Sequence, residues 1–392
     1  MLNNYRGYGR LSMPLTHLRF LYFILLLVVA NLGIAATDLP APTQADQSIK
    51  TPYGDIRPSP IIGELLRSPA LIRIQHIDQS GALYYFGYVP KYTRYEHSLG
   101  VFALLYRFKR PLAEQAAGLL HDTSHTVFSH TGDYLFKQVD KTHAYQDTIH
   151  LWFLEKMGIP KLVSDHNITL SDLDPDSGRN IALEQHLPDM CADRIEYNLH
   201  TGLLFKQITA TEFHAILDNL HFENNRWFFT DARLAARFAN LSLYFTQNLW
   251  GAPWNNAFNH YFAEMLTEAM NLKLLNTDHI HFGTDKAVLD ILTKAESPYI
   301  QTRLKACSDI HAAFKLLPLD AETYDAYFTP KFRGIDPWIQ TAQGFQRLTD
   351  LDSTFKEQYL AVKLWAQQGM KIQLNLAKKL DSHDGNDMVL VR

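Results

Sequence analysis

Residues 94 to 133 gather four histidines and two aspartates in three short motifs, RYEHSLG, LLHDTSH and SHTGD. Neutral imidazole and carboxylate are the donors that a borderline divalent ion prefers, and water on such an ion becomes a nucleophile near neutral pH. This density therefore points to metal-centred hydrolysis. His121 and Asp122 are adjacent, and His125 follows one helical turn later. Two ligands on one helix end need a third and a fourth from elsewhere: His97 is one donor, and a distant carboxylate must supply the other. A lone histidine is more often a hydrogen-bonded core or surface residue than a ligand. What changes the odds is its company, with TRYEHSLGV before it, HTVFSHTGD after it and CADRIEY, carrying Asp193, further downstream.

The flanking sequence shows what would position these groups. SLGVFALLYRF after His97 and EQAAGLL before His121 have apolar helical spacing, so two helices would deliver the first three ligands. LPDMCADRIEYNLHTGLL reads as another helix with Asp189, Asp193 and Tyr197 on one face.

Together these motifs resemble the HD-domain phosphohydrolases, nearest the branch of dNTP triphosphohydrolases and SAM-and-HD-domain proteins. The resemblance implies a set of metal ligands on His97, His121, Asp122 and Asp193, holding one divalent ion, with manganese, iron, zinc, nickel and magnesium all open. It implies reaction-site residues at His125, His130, His143 and Asp133, and substrate contacts at Gln79, Arg94, Arg194 and Tyr197. Arg94 and Arg194 could equally be structural ion pairs, and Tyr197 could be helix packing. The similarity starts near PYGDI, passes through LIRIQHIDQSG and returns in HFGTDKAVLDIL and KFRGIDPWI, so it covers most of residues 50 to 345.

The implied fold is mainly α: an HD-domain helical bundle with extra C-terminal helices and a small β-hairpin, placed at Gly81 to Val89 by its alternating aromatics. The expected organisation is a signal peptide or membrane anchor over 1–36, a linker over 37–60, the phosphohydrolase core over 61–220, a helical C-terminal extension over 221–381 and a tail over 382–392. GAPW should interrupt the helical pattern between Ala235 and Leu275, and DSTFKEQYL through LAKKL should form a helix pair.

Composition sets wider bounds. A 392-residue chain with 46% hydrophobic and 20% charged residues can bury a large core. Its net charge of -4 carries no sequence-wide positive field, so no nucleic-acid partner is expected. The expected partner is a nucleotide or other small phosphate ester, and a homo-oligomer stays open. Cys191 and Cys307 lack metal-ligand spacing and read as packed free thiols. Arg19, the apolar run Phe20 to Ala30 and the small residues Ala35 and Ala36 have the layout of a secretory signal peptide, so the chain is expected to be exported. N-terminal sequencing of the mature protein should then start near Ala36 or Thr37, whereas a chain that retains Phe20 to Ala30 would be membrane-anchored.

Some positions depart from the resemblance. Ser80 stands where a leucine would pack on a deoxyribose, Thr201 where an aspartate would meet the sugar hydroxyl, and no Lys or Arg lies between Arg237 and Lys273. Triphosphate binding is therefore expected to be weak and sugar discrimination poor. The leading expectation is dNTP triphosphohydrolase-like hydrolysis of a nucleotide phosphate ester. A phosphomonoesterase or phosphodiesterase on the same site is an alternative, as is a binding or regulatory protein that keeps its metal for stability.

Overall fold

The computed structural model describes residues 48–136 and 144–375. The leader, the linker up to residue 47, His143 and the C-terminal tail lie outside the described residues.

The chain is mainly helical. Its first half carries α1 (Pro60–Leu66), α2 (Pro69–Ile74), α3 (Arg94–Arg107), α4 (Leu112–Leu120), α5 (Thr131–Leu135), α6 (Tyr145–Lys156), α7 (Ile159–Val163), α8 (Ala192–Leu204) and α9 (Ala210–Asp218). The second half adds α10 (Ala232–Phe245), α11 (Pro253–Asn271), α12 (Thr277–Phe282), α13 (Asp285–Lys294), α14 (Pro298–Ser308), α15 (Ile310–Ala313), α16 (Leu348–Leu351) and α17 (Ser353–Gln368). Strands β1 (Ile49–Thr51) and β2 (Gly54–Ile56) form a hairpin. A four-stranded sheet runs β3 (Leu220–Glu223), β4 (Arg226–Phe229), β7 (Trp338–Thr341), β8 (Gly344–Arg347), with β4 and β7 parallel. A third sheet places β9 (Met370–Leu374) between β5 (Phe314–Leu317) and β6 (Ala326–Phe328).

Helix α3 has a strong start signal. Glu96 N–H donates to the Thr93 hydroxyl at 3.2 Å while Thr93 N–H donates to the Glu96 carboxylate at 2.7 Å, a reciprocal cap. Such a cap contributes about 0.5–2 kcal/mol. The helix buries His97, Val101, Leu104 and Leu105 together and packs on α4 and α8. Gly100 lets α8 come close, because a Cβ there would sit 2.4 Å from Oε1 of Glu196. One large core joins these helices to the rest of the described chain, with Phe102, Phe153, Phe238 and Phe258 fully buried. Each such side chain contributes about 1.5–3 kcal/mol.

Several expectations are corrected. The linker does not reach residue 60: the turn in TPYG closes the β1–β2 hairpin and buries Tyr53. No hairpin forms at Gly81–Val89, where Gly81–Tyr84 is a 3₁₀ turn. The aromatics there do not alternate about a sheet; Phe86 packs on Phe258 and Phe262, and Tyr88 on Trp254. Helix α8 begins only at Ala192, because Ala192 N–H closes the preceding loop onto Ala182 O at 2.8 Å. Asp189 is therefore off that helix and accepts instead from Trp338 Nε1 at 2.9 Å. The C-terminal helix pair is one helix, α17. It ends at Gly369, whose φ of 68° suits glycine, and MKIQL then alternates as β9 with Met370 and Ile372 buried. The expected boundary at residue 220 falls inside β3, and the extension beyond it carries strands as well as helices. The break at GAPW is present, with a π turn at Thr246–Trp250 separating α10 from α11. Both cysteines are buried and unbonded.

Candidate metal centre and adjoining cavity

The end of α4, the buried face of α3 and the first turn of α8 meet at one point. His97 Nε2 lies 2.9 Å from Asp193 Oδ1, 3.2 Å from His121 Nε2 and 3.5 Å from Asp122 Oδ2. His121 Nε2 is 3.6 Å from both Asp122 Oδ1 and Asp193 Oδ1. Ligands held at about 2.1 Å from one ion stand roughly 3.0–3.4 Å apart, so this spacing is that of a ligand shell.

The hydrogen bonds on the outer side fix the donors. His121 Nδ1–H donates to Gly118 O at 2.8 Å, and His97 Nδ1–H donates to Glu196 Oε2 at 2.5 Å. Both Nε2 lone pairs therefore face inward, the tautomer a metal requires. Asp122, Asp193 and Glu196 bring three negative charges and Arg94 one positive charge, and a divalent cation balances the remainder. Burial works against a charged His97, but Glu196, Asp193 and Asp122 outweigh it and push its pKa up to about 10, so the carboxylates that favour a second proton on this ring would equally favour a metal cation in that proton's place. Asp122 and Asp193 are held well below the usual carboxylate range, against burial, by Arg94 and the imidazoles for Asp122 and by the two histidines for Asp193. His97, His121 and Asp193 thus offer three donor atoms within 4.8 Å of one another, with Asp122 beside both histidines, and the set fits a divalent ion in spacing and charge.

Glu196 is fully buried and collects four partners. Tyr53 and Tyr92 donate their hydroxyls to it, His97 bonds one oxygen, and His200 Nδ1 lies 3.0 Å from the other. Sequence reading missed this residue, although its place three residues after Asp193 on an amphipathic helix was the available signal. Glu196→Gln keeps the shape and removes the charge that orients His97. Metal affinity should fall about 10–100-fold, measured by titrating metal into stripped protein; unchanged affinity would remove Glu196 from the site.

Next to the ligands, His125 Nε2 lies 3.2 Å from Asp122 Oδ1, and the His125 and His130 rings meet edge to face at 5.0 Å. His130 Nδ1–H donates to Asp133 Oδ2 at 3.2 Å, and Tyr145 N–H holds the other Asp133 oxygen at 2.7 Å. Burial lowers the pKa of His125 to about 3, aided by the charge of Arg94, and lowers that of His130 as well. Both imidazoles are therefore neutral near pH 7. His143 lies outside the described residues.

The turn between these histidines carries two successive left-handed residues, Phe128 (φ 58°) and Ser129 (φ 54°). Such backbone costs about 1–3 kcal/mol per residue and persists only when its surroundings hold it. Asp285 accepts Phe128 N–H at 2.7 Å, and Ser129 Oγ donates to Asp78 O at 2.5 Å. Arg73 fastens the preceding turn through the carbonyls of Thr123 and His125.

A cavity of about 310 Å³ adjoins the centre, with His130, Asp133, Gln79 and Tyr197 in its wall. Ser80 and Thr201 line it too, so both departures from the resemblance fall on the same surface. Two of the expected substrate contacts do not face it. Arg94 is buried in bonds to Asp122 Oδ2 (2.7 Å), Ser129 Oγ (2.9 Å) and Gln79 O (3.3 Å), so its role is to position a ligand. Arg194 is spent on Glu184 at 2.7 Å and on the carbonyls of Gln185 and Asp189. The expected lack of positive charge is also corrected. Lys331 and Arg333, from the KFRG stretch, reach the cavity wall, and no local pattern in that stretch marked them as site residues.

The HD domain family model matches residues 94–157. The uncharacterized protein YdhJ of Bacillus subtilis is 31% identical over 289 residues, 73% of this chain and 86% of that protein. The metal-dependent phosphohydrolase cns2 of Cordyceps militaris is 31% identical over 169 residues, 43% of this chain and 48% of cns2. The deoxynucleoside triphosphate triphosphohydrolase SAMHD1 of Bos taurus is 34% identical over 96 residues, 21% of this chain and 16% of its own length. Among solved structures, a phosphohydrolase from Bacteroides thetaiotaomicron superposes with a TM-score of 0.59 at 16% identity, covering 78% of this chain and 94% of its own, a likeness of fold.

Proposed function

The chain belongs to the HD-domain family of metal-dependent phosphohydrolases, and from that premise we propose that it hydrolyses nucleotide phosphate esters in the manner of a dNTP triphosphohydrolase. The observation that carries this reading is the convergence of His97, His121, Asp122 and Asp193 beside a cavity walled by the His130–Asp133 pair.

A divalent ion at that point would supply a water of lowered pKa and neutralise charge developing on the phosphoryl oxygens. The protein's own groups do the rest. Arg94 holds Asp122, and Glu196 and Gly118 O keep the two imidazoles in one tautomer. His130 has Nδ1 committed to Asp133, so Nε2 is the ring nitrogen left to exchange a proton with substrate or water, and Asp133 stabilises the cation formed when it does. Tyr197 and Gln79 offer contacts to the rest of the substrate. Ser80 and Thr201 lack the bulk and charge that would select a deoxyribose, which favours broad sugar and base tolerance.

The experiment is metal loading followed by a release assay for phosphate, pyrophosphate and triphosphate over nucleotides and simple esters. Turnover of nucleotides with little preference between ribose and deoxyribose is the expected result. Turnover of simple monoesters alone would replace it with the phosphomonoesterase reading, and no turnover with manganese, iron, zinc, nickel or magnesium would leave a binding protein.

A further inference from the structure

The segment between β6 and β7 contributes to the wall of the cavity that His130 also lines, and brings two cations there, Lys331 and Arg333. Among the described residues, no carboxylate lies within ion-pair distance of either and no hydrogen bond engages them. Asp133, the acidic residue in the wall, has both oxygens committed to His130 and Tyr145 N–H, while Asp147 and Glu184 act on Lys331 only from beyond ion-pair distance. What orients Arg333 is aromatic. Its guanidinium lies 5.9 Å from the Tyr197 ring and 5.8 Å from the Trp250 ring, and those two rings meet edge to face at 5.0 Å. Ring faces steer a guanidinium without consuming its five N–H donors.

Two like charges gathered in a partly enclosed space are unfavourable unless an anion joins them. The repulsion is visible at Lys331, whose pKa is lowered first by Arg333 and then by burial. The neighbouring asparagines do not compete for an anion, since the side-chain amides of Asn255 and Asn256 donate to backbone carbonyls of their own helix start. A guanidinium with free donors and an adjacent ammonium form a good receptor for phosphate oxygens.

We propose that Lys331 and Arg333 form a second anion subsite, which receives phosphoryl groups beyond the one attacked at the metal centre, so that the cavity is built for polyphosphate esters. This rests on the phosphohydrolase reading of the adjoining cluster. A monophosphate seated at the metal ligands would leave these cations unused, whereas the further phosphoryl groups of a polyphosphate would extend past His130 into the cavity that the cations line.

The test is calorimetric binding of inorganic tripolyphosphate and of orthophosphate to the metal-loaded full chain, in excess magnesium so that every polyphosphate is already complexed. Tripolyphosphate should bind at least about tenfold more tightly than orthophosphate. Lys331→Ala and Arg333→Ala should each weaken tripolyphosphate about tenfold and together about a hundredfold, while Arg333→Lys, which keeps the charge, loses much less. Equal affinity for the two anions, or tripolyphosphate binding unchanged in the double variant, would overturn the subsite. The two readings fail separately. Binding through these residues with no ester turned over keeps the subsite and removes the enzyme, and ester turnover with unchanged binding does the reverse.

Discussion

His121→Ala and Asp193→Ala are each expected to abolish divalent-ion binding and to reduce any metal-dependent turnover to background. The parent protein should carry about one ion per chain, because donor atoms of His97, His121 and Asp193 lie within 4.8 Å of one another, with Asp122 beside both histidines. Removing one donor leaves three, and it also frees the groups that had been held against it. Loss of an outer partner already costs 10–100-fold in metal affinity, so loss of a ligand should exceed about a hundredfold. Elemental analysis after dialysis gives the answer directly. Full occupancy in both variants would sink the ligand assignment.

The second large effect is expected at His125. It stands against Asp122 on one side and the His130 ring on the other, buried and neutral, and its Nδ1 has no partner among the described residues. A positioned proton-transfer group contributes about 10²–10⁴-fold to rate, so His125→Ala should lower kcat by that order with metal content unchanged. Elemental analysis on the same sample separates two roles. A rate loss that follows metal loss makes His125 a positioning residue for Asp122, and an unchanged kcat removes it from the reaction.

The metal-binding half of the site was legible because it obeys local rules. A capping signal at Thr93–Glu96 and apolar spacing place His97 inside α3, and the apolar run of α4 ends on His121 and Asp122, so sequence order and spatial order agree. Asp193 was reached through its motif and lies in the first turn of α8. The residues that were misread depend on distant partners. Arg94 and Arg194 were open in the sequence between phosphate contact and structural ion pair, and only Asp122 and Glu184 beside them decide for the ion pair. Tyr53 sat in a Pro- and Thr-rich stretch with the composition of a linker, and distant partners bury it, Phe213 against its ring and Glu196 at its hydroxyl. Lys331 and Arg333 reach the cavity from a segment far along the chain, where pattern alone could not assign them a role.

The left-handed turn at Phe128–Ser129 is held by Asp285, the first residue of α13. The family signature ends at residue 157, so the carboxylate that maintains the aim of His130 lies well beyond it. A fragment trimmed to the signature would keep most of the recognisable motif and lose the anchor of its turn, as well as Asp193. Anyone grafting this chemistry onto another scaffold, or shortening the chain for expression, must carry the start of α13 with it. The portable unit is set by where that strained turn is fastened, and from residue 94 to Asp285 it is about three times as long as the stretch by which the protein is recognised.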